Sequence, residues 1–184
     1  MEKYFRYYHT LRHLKWIQIR YQVWYRLRQY LGSSKEYDNV FQKGHLISWS
    51  TEIYTKDSLV KGSFNFLNRE ATFEKSIDWN FTNEGKLWTY NLNYFDFLHQ
   101  ENIDVNQGLK LMHDFSLNYK SLIDGKESYP TSLRIINWIK FFFQHSIQDS
   151  KFDEIIGKDT NRLRHNLEYH LLANHLLENA FALF

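Results

Sequence analysis

The chain has 184 residues, enough for one domain with a hydrophobic core, since domains cluster at roughly 100–150 residues. It contains no cysteine, which excludes a disulfide framework and a thiolate metal site. The formal net charge is +2, but residues 3–35 hold eight lysines and arginines and no acid, which leaves −6 for the rest. Aromatic residues make up 18% of the chain, and such residues both fill cores and offer flat faces on which sugar rings stack.

The first thirty residues lack the features of a secretory signal, because no uninterrupted apolar stretch precedes a small-residue cleavage site. No run of about 20 apolar residues is long enough to span a bilayer. We therefore expect a cytoplasmic protein, with the periplasm as the alternative if a leader has been removed.

Residues 1–35 are predicted to form a basic amphipathic helical arm. From about Tyr7 to Leu31, apolar residues recur at helical spacing with basic residues between them, and Gly32 follows. Such a helix can pack on its own protein with a solvated basic face, follow an acidic polymer, or lie on an anionic membrane surface.

Residues 36–103 are predicted to form short strands, extended segments and loops, because they lack a long helical period and carry clusters of β-branched and aromatic residues. Candidate strands lie at 45–49 and 62–67. The segment 87–95 alternates aromatic residues with amides and includes Trp88 and Tyr90. This composition suits the binding of polyhydroxylated ligands, and it equally suits a loop that packs over a core.

Residues 104–184 are predicted to be helical, so the expected fold class is mainly α. Three helices are expected, with approximate bounds 105–123, 131–147 and 160–184. Asp124-Gly125 ends the first, and Thr131-Ser132 caps the second. The chain ends in an uncapped apolar helix, so we expect it to be the N-terminal piece of a longer protein whose next helix covers that surface.

The third predicted helix carries an unusual set of polar residues. Glu168, His170, Asn174 and His175 interrupt a leucine pattern, and on a continuous helix Asn174 lies in the middle of the apolar face. An amide or imidazole buried without a partner costs roughly 1–3 kcal/mol. These groups therefore either bridge to another helix or form a site. Metal binding is not favoured, because His165, His170 and His175 are five residues apart, whereas helical ligands need spacings of about three or four.

The second predicted helix places Arg134, Asn137 and Trp138 three and four residues apart, so that a guanidinium, an amide and an indole can share one edge. An arginine fork matches a carboxylate through two hydrogen bonds, and ordinary surface residues are the alternative. No glycine-rich phosphate loop, nucleophile elbow or paired-cysteine motif is present. Motifs therefore do not support a nucleotide-binding protein, a serine hydrolase or a zinc finger, and we expect no cofactor and no nucleic-acid partner.

Five sequence motifs occur in a recognisable order. They are Phe64–Asn68, Ile77–Asn80, Leu87–Phe95, Tyr129–Trp138 and Asn166–His175. Together they resemble the N-terminal region of heparinase II/III-family proteins, over about residues 60–184. The basic, tyrosine-rich start is similar to leaderless members that are found with bacterial surface-polysaccharide synthesis genes.

This resemblance implies an incomplete α/α toroid of helical hairpins, followed in the full-length protein by further helices and a β-sandwich domain. It also implies a polysaccharide lyase that cleaves heparin-like, alginate-like or bacterial surface glycans containing uronate. Such enzymes neutralise the uronate carboxylate, remove the C5 proton with a base and protonate the leaving oxygen with an acid. The family's catalytic tyrosine and a further histidine lie on later helices, so the present chain alone is expected to be inactive.

The resemblance assigns roles to two neighbouring residues. Asn174 matches the amide that neutralises the uronate carboxylate, and His175 matches a neighbour that assists substrate binding or proton transfer. The candidate substrate-binding residues are Trp88, Tyr90, Arg134, Asn137, Trp138, Glu168 and His170.

Two other functions stay open beside the lyase. A non-catalytic protein that binds acidic glycans or assembles surface polysaccharides would use the aromatic and amide residues at 77–95. A membrane-surface role would use the basic arm, residues 1–35.

Overall fold

The structure, a computed structural model, describes residues 5, 9, 12–31 and 54–184. Six α-helices are described in full, together with one small sheet, and the mainly helical class is therefore confirmed. The helices are α1 (Trp16–Tyr30), α2 (Lys86–Tyr94), α3 (Val105–Asn118), α4 (Ser128–His145), α5 (Ser150–Arg164) and α6 (Ala173–Leu183). Among these described helices, none has the length and apolar character needed to cross a bilayer.

The sheet has three antiparallel strands, β1 (Leu59–Val60), β2 (Ser63–Phe66) and β3 (Arg69–Thr72), in the order β1-β2-β3. Along β2, Phe64 and Phe66 are buried while Asn65 is exposed, which is the alternation expected of a strand with one covered face. The strand predicted at 62–67 is therefore confirmed. The strand predicted at 45–49 lies outside the described residues.

Helix α2, Lys86–Tyr94, covers nearly all of the segment 87–95, for which the sequence predicted an extended or loop structure, and that prediction is wrong. Two of the residues on its buried face, Thr89 and Asn93, are polar, so the apolar period of the helix is hidden. The Asn93 amide donates to the carbonyls of Trp79 at 2.9 Å and Thr89 at 2.8 Å. Gly125 approaches this amide so closely that a Cβ atom would lie 2.1 Å from Asn93 Oδ1, which only glycine avoids.

The middle helices differ from their predicted bounds. Helix α3 ends at Asn118, before the predicted limit near residue 123, and two 3₁₀ turns follow at Tyr119–Ser121 and Asp124–Lys126. The side chain of Asn80 holds these turns, since its amide donates to Ser121 O and its oxygen accepts from Ile123 N. Helix α4 begins at Ser128, so the predicted caps at 131–132 are buried within the helix.

Helix α4 lies at the centre of the fold and packs against α2, α5 and α6. Around it, aromatic rings interlock, mostly edge to face. Trp138 lies 5.3 Å from Phe95 and 5.6 Å from Phe115, and Trp79 stacks on Phe95 at 5.0 Å, measured between ring centroids. These four rings are almost fully buried, so part of the aromatic composition serves the core.

The third predicted helix, 160–184, is two helices separated by an irregular connection at 165–172. Helix α5 starts at Ser150, where Asp149 Oδ1 caps it by accepting from Lys151 N at 2.8 Å. At its end the Asn166 amide donates to Arg162 O, and such side-chain bonds compete with helix continuation. Leu172 and Ala173 then adopt positive φ values of 60° and 47°. The continuous leucine face predicted through this region is wrong.

The burial of His99 is expected to lower the free energy of unfolding at acid pH. Its Nε2 lies 3.1 Å from the Asn137 carbonyl, and burial lowers the pKa of the imidazole below its ordinary value of 6.5. The unfolded chain therefore binds a proton more readily, and this histidine removes stability as the pH falls below its ordinary pKa, from about pH 7 towards pH 5. Urea unfolding at pH 7 and pH 5 should show a smaller fall in the free energy of unfolding for His99→Gln than for wild type. An equal decline would contradict this contribution.

Candidate functional site

The connection 165–172 is fixed by a fully buried amide, that of Asn179 on α6. Asn179 Oδ1 accepts from the backbone N–H of Glu168 at 2.8 Å. Its Nδ2 donates to Glu168 Oε2 at 3.1 Å and to Ser132 Oγ, on α4, at 3.0 Å. One side chain thus ties the connection, α4 and α6 together at a single point.

The buried carboxylate of Glu168 holds the ring of His175. Glu168 Oε1 lies 3.2 Å from His175 Nδ1, and the Glu168 side chain is 10% exposed whereas that of His175 is 38% exposed. An ionised carboxylate only accepts hydrogen bonds, so the proton between these atoms belongs to Nδ1. Among the described residues, His175 Nε2 has no hydrogen-bond partner. That nitrogen is therefore the one available to a ligand.

Asn174 stands beside this pair at the start of α6 and is exposed. Its predicted place in the middle of an apolar face is wrong, because the helix begins at residue 173 and the buried amide is Asn179. Within the described part of the chain, the Asn174 amide makes no hydrogen bond. The structure therefore brings His175 and Glu168 into contact, and Asn174, the neighbour of His175 in the chain, is exposed at the start of α6.

A row of aromatic rings leads to His175 from helix α2. Tyr129 packs on His175 with 4.3 Å between ring centroids, Tyr94 lies 5.8 Å from Tyr129, and Tyr90 lies 6.5 Å from Tyr94. The Tyr90 hydroxyl donates to the Glu127 carboxylate, and burial raises the pKa of Tyr90. Of this row, the sequence predicted only Tyr90 as a ligand-binding residue.

His170 lies on the other side of the connection, against α1. Its ring meets Tyr25 edge to face at 5.1 Å, and burial lowers the pKa of His170. The Tyr25 hydroxyl donates to the carbonyl of Leu167, and burial raises the pKa of Tyr25 to about 12, so this hydroxyl remains a donor. His170 thus contacts α1, and it also lies close enough to Glu168 and His175 for both to act on its pKa.

The remaining candidates lie inside the fold. Arg134 is 1% exposed and forms an ion pair with Asp159, with 2.7 Å from Nη2 to Oδ2. Trp88 and Trp138 belong to the core, and the Asn137 amide donates to the Tyr94 carbonyl at 2.9 Å. The structure therefore does not present Arg134, Asn137 and Trp138 as an exposed edge.

The sequence indicated no site role for Asn179 or Tyr129, and it indicated only a helix cap for Ser132. The available signal was spacing, since Asn179 follows His175 by four residues and therefore shares its helix face. Nothing in the sequence indicated that Ser132 binds Asn179, because the two residues are 47 positions apart in the chain.

Replacing Asn179 by alanine is expected to lower the free energy of unfolding by roughly 2–4 kcal/mol, because two polar groups of Glu168 and the Ser132 hydroxyl lose their buried partner. Asn174→Ala, the same substitution on the same helix, should change it by no more than about 0.5 kcal/mol, since Asn174 is exposed. Chemical denaturation of both variants measures the difference. Equal effects at the two positions would show that Asn179 does not hold the connection.

No family model, no curated protein and no solved structure matches this chain. Within the described residues, no group of three or more histidines and carboxylates is arranged to hold a metal ion.

Proposed function

We propose that this chain is the N-terminal part of a polysaccharide lyase that cleaves uronate-containing glycans by β-elimination. The observation that carries the proposal is the exposed Asn174 amide beside the His175 imidazole, which the buried Glu168 carboxylate holds. This combination offers a neutral donor and a proton-transfer group at one surface. Its supporting hydrogen bonds reach α4 through Asn179.

Asn174 is assigned to the uronate carboxylate. Removal of the C5 proton places negative charge on that carboxylate, and an N–H donor aimed at the developing charge stabilises the transition state. An amide does this without gaining or losing a proton itself. The lack of a protein partner for the Asn174 amide in the described residues leaves it available for such a contact.

His175 is assigned to substrate binding or proton transfer through Nε2. A base must lie within hydrogen-bond reach of the proton that it removes, and Glu168 restricts the orientation of the ring that would do so. Glu168 is thus a positioning residue in this proposal. The faces of Tyr90 and Tyr129, both partly exposed, are assigned to sugar stacking.

The helices from α3 onward are assigned to the first part of an α/α toroid, with later helices and a β-sandwich supplied by the rest of the full-length protein. Support comes from α6, where Leu177 and Phe181 are exposed apolar residues. A following helix packed on them would remove that apolar area from water. The same later helices would carry the tyrosine and histidine that complete the acid and base.

The test is an assay of the full-length protein that carries this chain, incubated with heparosan, hyaluronan, alginate and, as a control, a neutral glucan. β-Elimination creates a carbon–carbon double bond in the uronate, and the ultraviolet absorbance of that product reports the reaction. We expect the absorbance to rise with at least one acidic glycan and not with the glucan. A folded protein that is silent on every acidic glycan would refute the proposal.

Binding without catalysis has less support from the segment 77–95 than the sequence suggested. Trp79 and Trp88 are buried, and the Asn93 amide is engaged within the protein. If saccharide binding by the full-length protein survives the double change Asn174→Ala with His175→Ala, and no unsaturated product forms in wild type, the non-catalytic alternative is the correct one.

A further inference from the structure

Helix α1 is attached to the rest of the protein through its polar face. Gln18 Nε2 donates to the carbonyls of His170 and Leu171 at 3.4 Å, and Tyr21 stacks on Tyr169 with 4.6 Å between ring centroids. One and two turns further along, the Tyr25 hydroxyl and the Arg28 guanidinium donate to backbone carbonyls of the connection 165–172. These four residues follow each other at spacings of three and four, so they form one face of the helix.

The opposite face of α1 is apolar and exposed to solvent. At 100° per residue, the apolar side chains of this face fall within one sector of the helix, and that sector also contains Arg20. These members are Trp16, Ile17, Val23, Trp24, Leu27, Tyr30 and Leu31. Trp16 is 77% exposed and Tyr30 is 90% exposed. We call these residues, with Arg20, the outer face.

This orientation reverses that of an ordinary packing helix, which buries its apolar stripe and solvates its charges. Helix α1 does pack on its own protein and its Arg20 and Arg26 are exposed, but most of its apolar residues face solvent as well. A contiguous exposed apolar patch of this kind marks an interaction surface. A shallow, open depression on α1 is lined by Val23, Trp24 and Leu27, together with Arg20 and Tyr21.

The charge around the outer face selects an anionic partner. Helix α1 has no acidic residue, and of its arginines Arg20 lies within the outer face and Arg26 beside it, both exposed, whereas Arg28 donates to the connection 165–172. Residues 3–35 as a whole carry eight positive charges and no negative one, whereas the rest of the chain is net negative. Each basic residue near an anionic lipid surface adds to the attraction.

The aliphatic residues distinguish a lipid surface from an acidic glycan. Tryptophan, tyrosine and arginine suit both partners, but Val23, Leu27 and Leu31 gain nothing from a hydrated sugar chain. They do gain from burial in the headgroup and acyl boundary, where interfacial helices place aromatic and leucine side chains. We propose that α1 lies on an anionic lipid membrane with its outer face buried in this boundary. This function goes beyond the lyase site and does not depend on it.

The test is flotation of the full-length protein with phosphatidylcholine vesicles that contain about one phosphatidylserine in four lipids, and with phosphatidylcholine alone. We expect wild type to float with the anionic vesicles and to stay unbound with the neutral ones. Trp24→Glu with Leu27→Glu should reduce the bound fraction by about tenfold or more, and so should Arg20→Glu. Leu117→Glu changes an apolar residue that is 86% exposed on α3 and serves as the matched control, which should bind like wild type.

Far-ultraviolet circular dichroism checks that the variants are folded. We expect them to fold, because the changed residues are exposed. Absence of flotation, equal flotation with neutral vesicles, or unchanged flotation of the double variant would overturn the proposal. Two other partners would give different results, in both cases without binding to vesicles. Heparosan binding that the double variant loses would assign the outer face to an acidic glycan, and a dimer that the same variant loses would assign it to a second copy of the chain.

Discussion

Replacing Arg134 by methionine is expected to lower the free energy of unfolding by roughly 3–5 kcal/mol, because the change leaves the carboxylate of Asp159 buried without its counter-charge. The Arg134 guanidinium also donates to the Gly125 carbonyl at 2.9 Å and lies 4.8 Å from the centre of the Phe115 ring. Tyr119 donates to the same carboxylate at 2.7 Å but supplies no charge. A domain with a total stability of about 5–15 kcal/mol would become marginal.

The expected loss has two controls. Arg69→Met removes the same side chain from an exposed ion pair with Glu84, and it should cost about 0–1 kcal/mol. Arg134→Met combined with Asp159→Leu removes both buried charges and should recover part of the stability that the single change loses. Urea unfolding followed by tryptophan fluorescence measures all three variants. A loss at Arg134 no larger than that at Arg69 would contradict the assignment of the buried pair.

The second large effect concerns His175. In the full-length protein, His175→Ala is expected to lower the rate of uronate elimination by about 10²–10⁴-fold, the usual contribution of a positioned proton-transfer group. Glu168→Gln preserves the size of the side chain but weakens its hold on the ring. It should therefore reduce kcat by a smaller factor, with less effect on KM.

His113→Ala serves as the matched control for His175→Ala, since His113 is an exposed histidine on α3 away from the Glu168 group. It should leave the rate of elimination unchanged. Circular dichroism confirms that each variant is folded before its rate is compared. A rate that survives His175→Ala would remove His175 from the chemistry and leave it a structural partner of Glu168.

Periodicity predicted the elements whose buried faces are apolar. Helices α3 and α4 and the strand β2 lie in the segments that hydrophobic spacing indicates, although the helix ends differ by several residues. Helix α2 escaped detection because Thr89 and Asn93 occupy positions on its buried face, and their hydrogen bonds within the protein offset the cost of burial. Amphipathicity also located α1 but did not show which face contacts the protein. The spacing of apolar residues defines the two faces of a helix and does not identify what each face contacts.

The break between α5 and α6 shows why the site was only partly predictable. A leucine pattern continues through 165–172, yet the chain leaves the helix there, because Asn179 binds the backbone of Glu168 across eleven residues. Side-chain spacing on a continuous helix therefore placed Asn174 on the wrong face. The sequence motifs, interpreted as a family resemblance that no comparison supports, selected Asn174 and His175, and the structure supplied their exposure and the contact of His175 with Glu168.

The most direct test of the proposed site is the rate at which the full-length protein forms unsaturated uronate, compared between wild type and Asn174→Ala. Asn174 is exposed, so its loss should leave the unfolding midpoint unchanged while the rate falls by about 10²-fold or more, the effect of removing one donor from a developing oxyanion. An undiminished rate in a folded Asn174→Ala protein, or no elimination by wild type on any acidic glycan, would contradict the proposed lyase site.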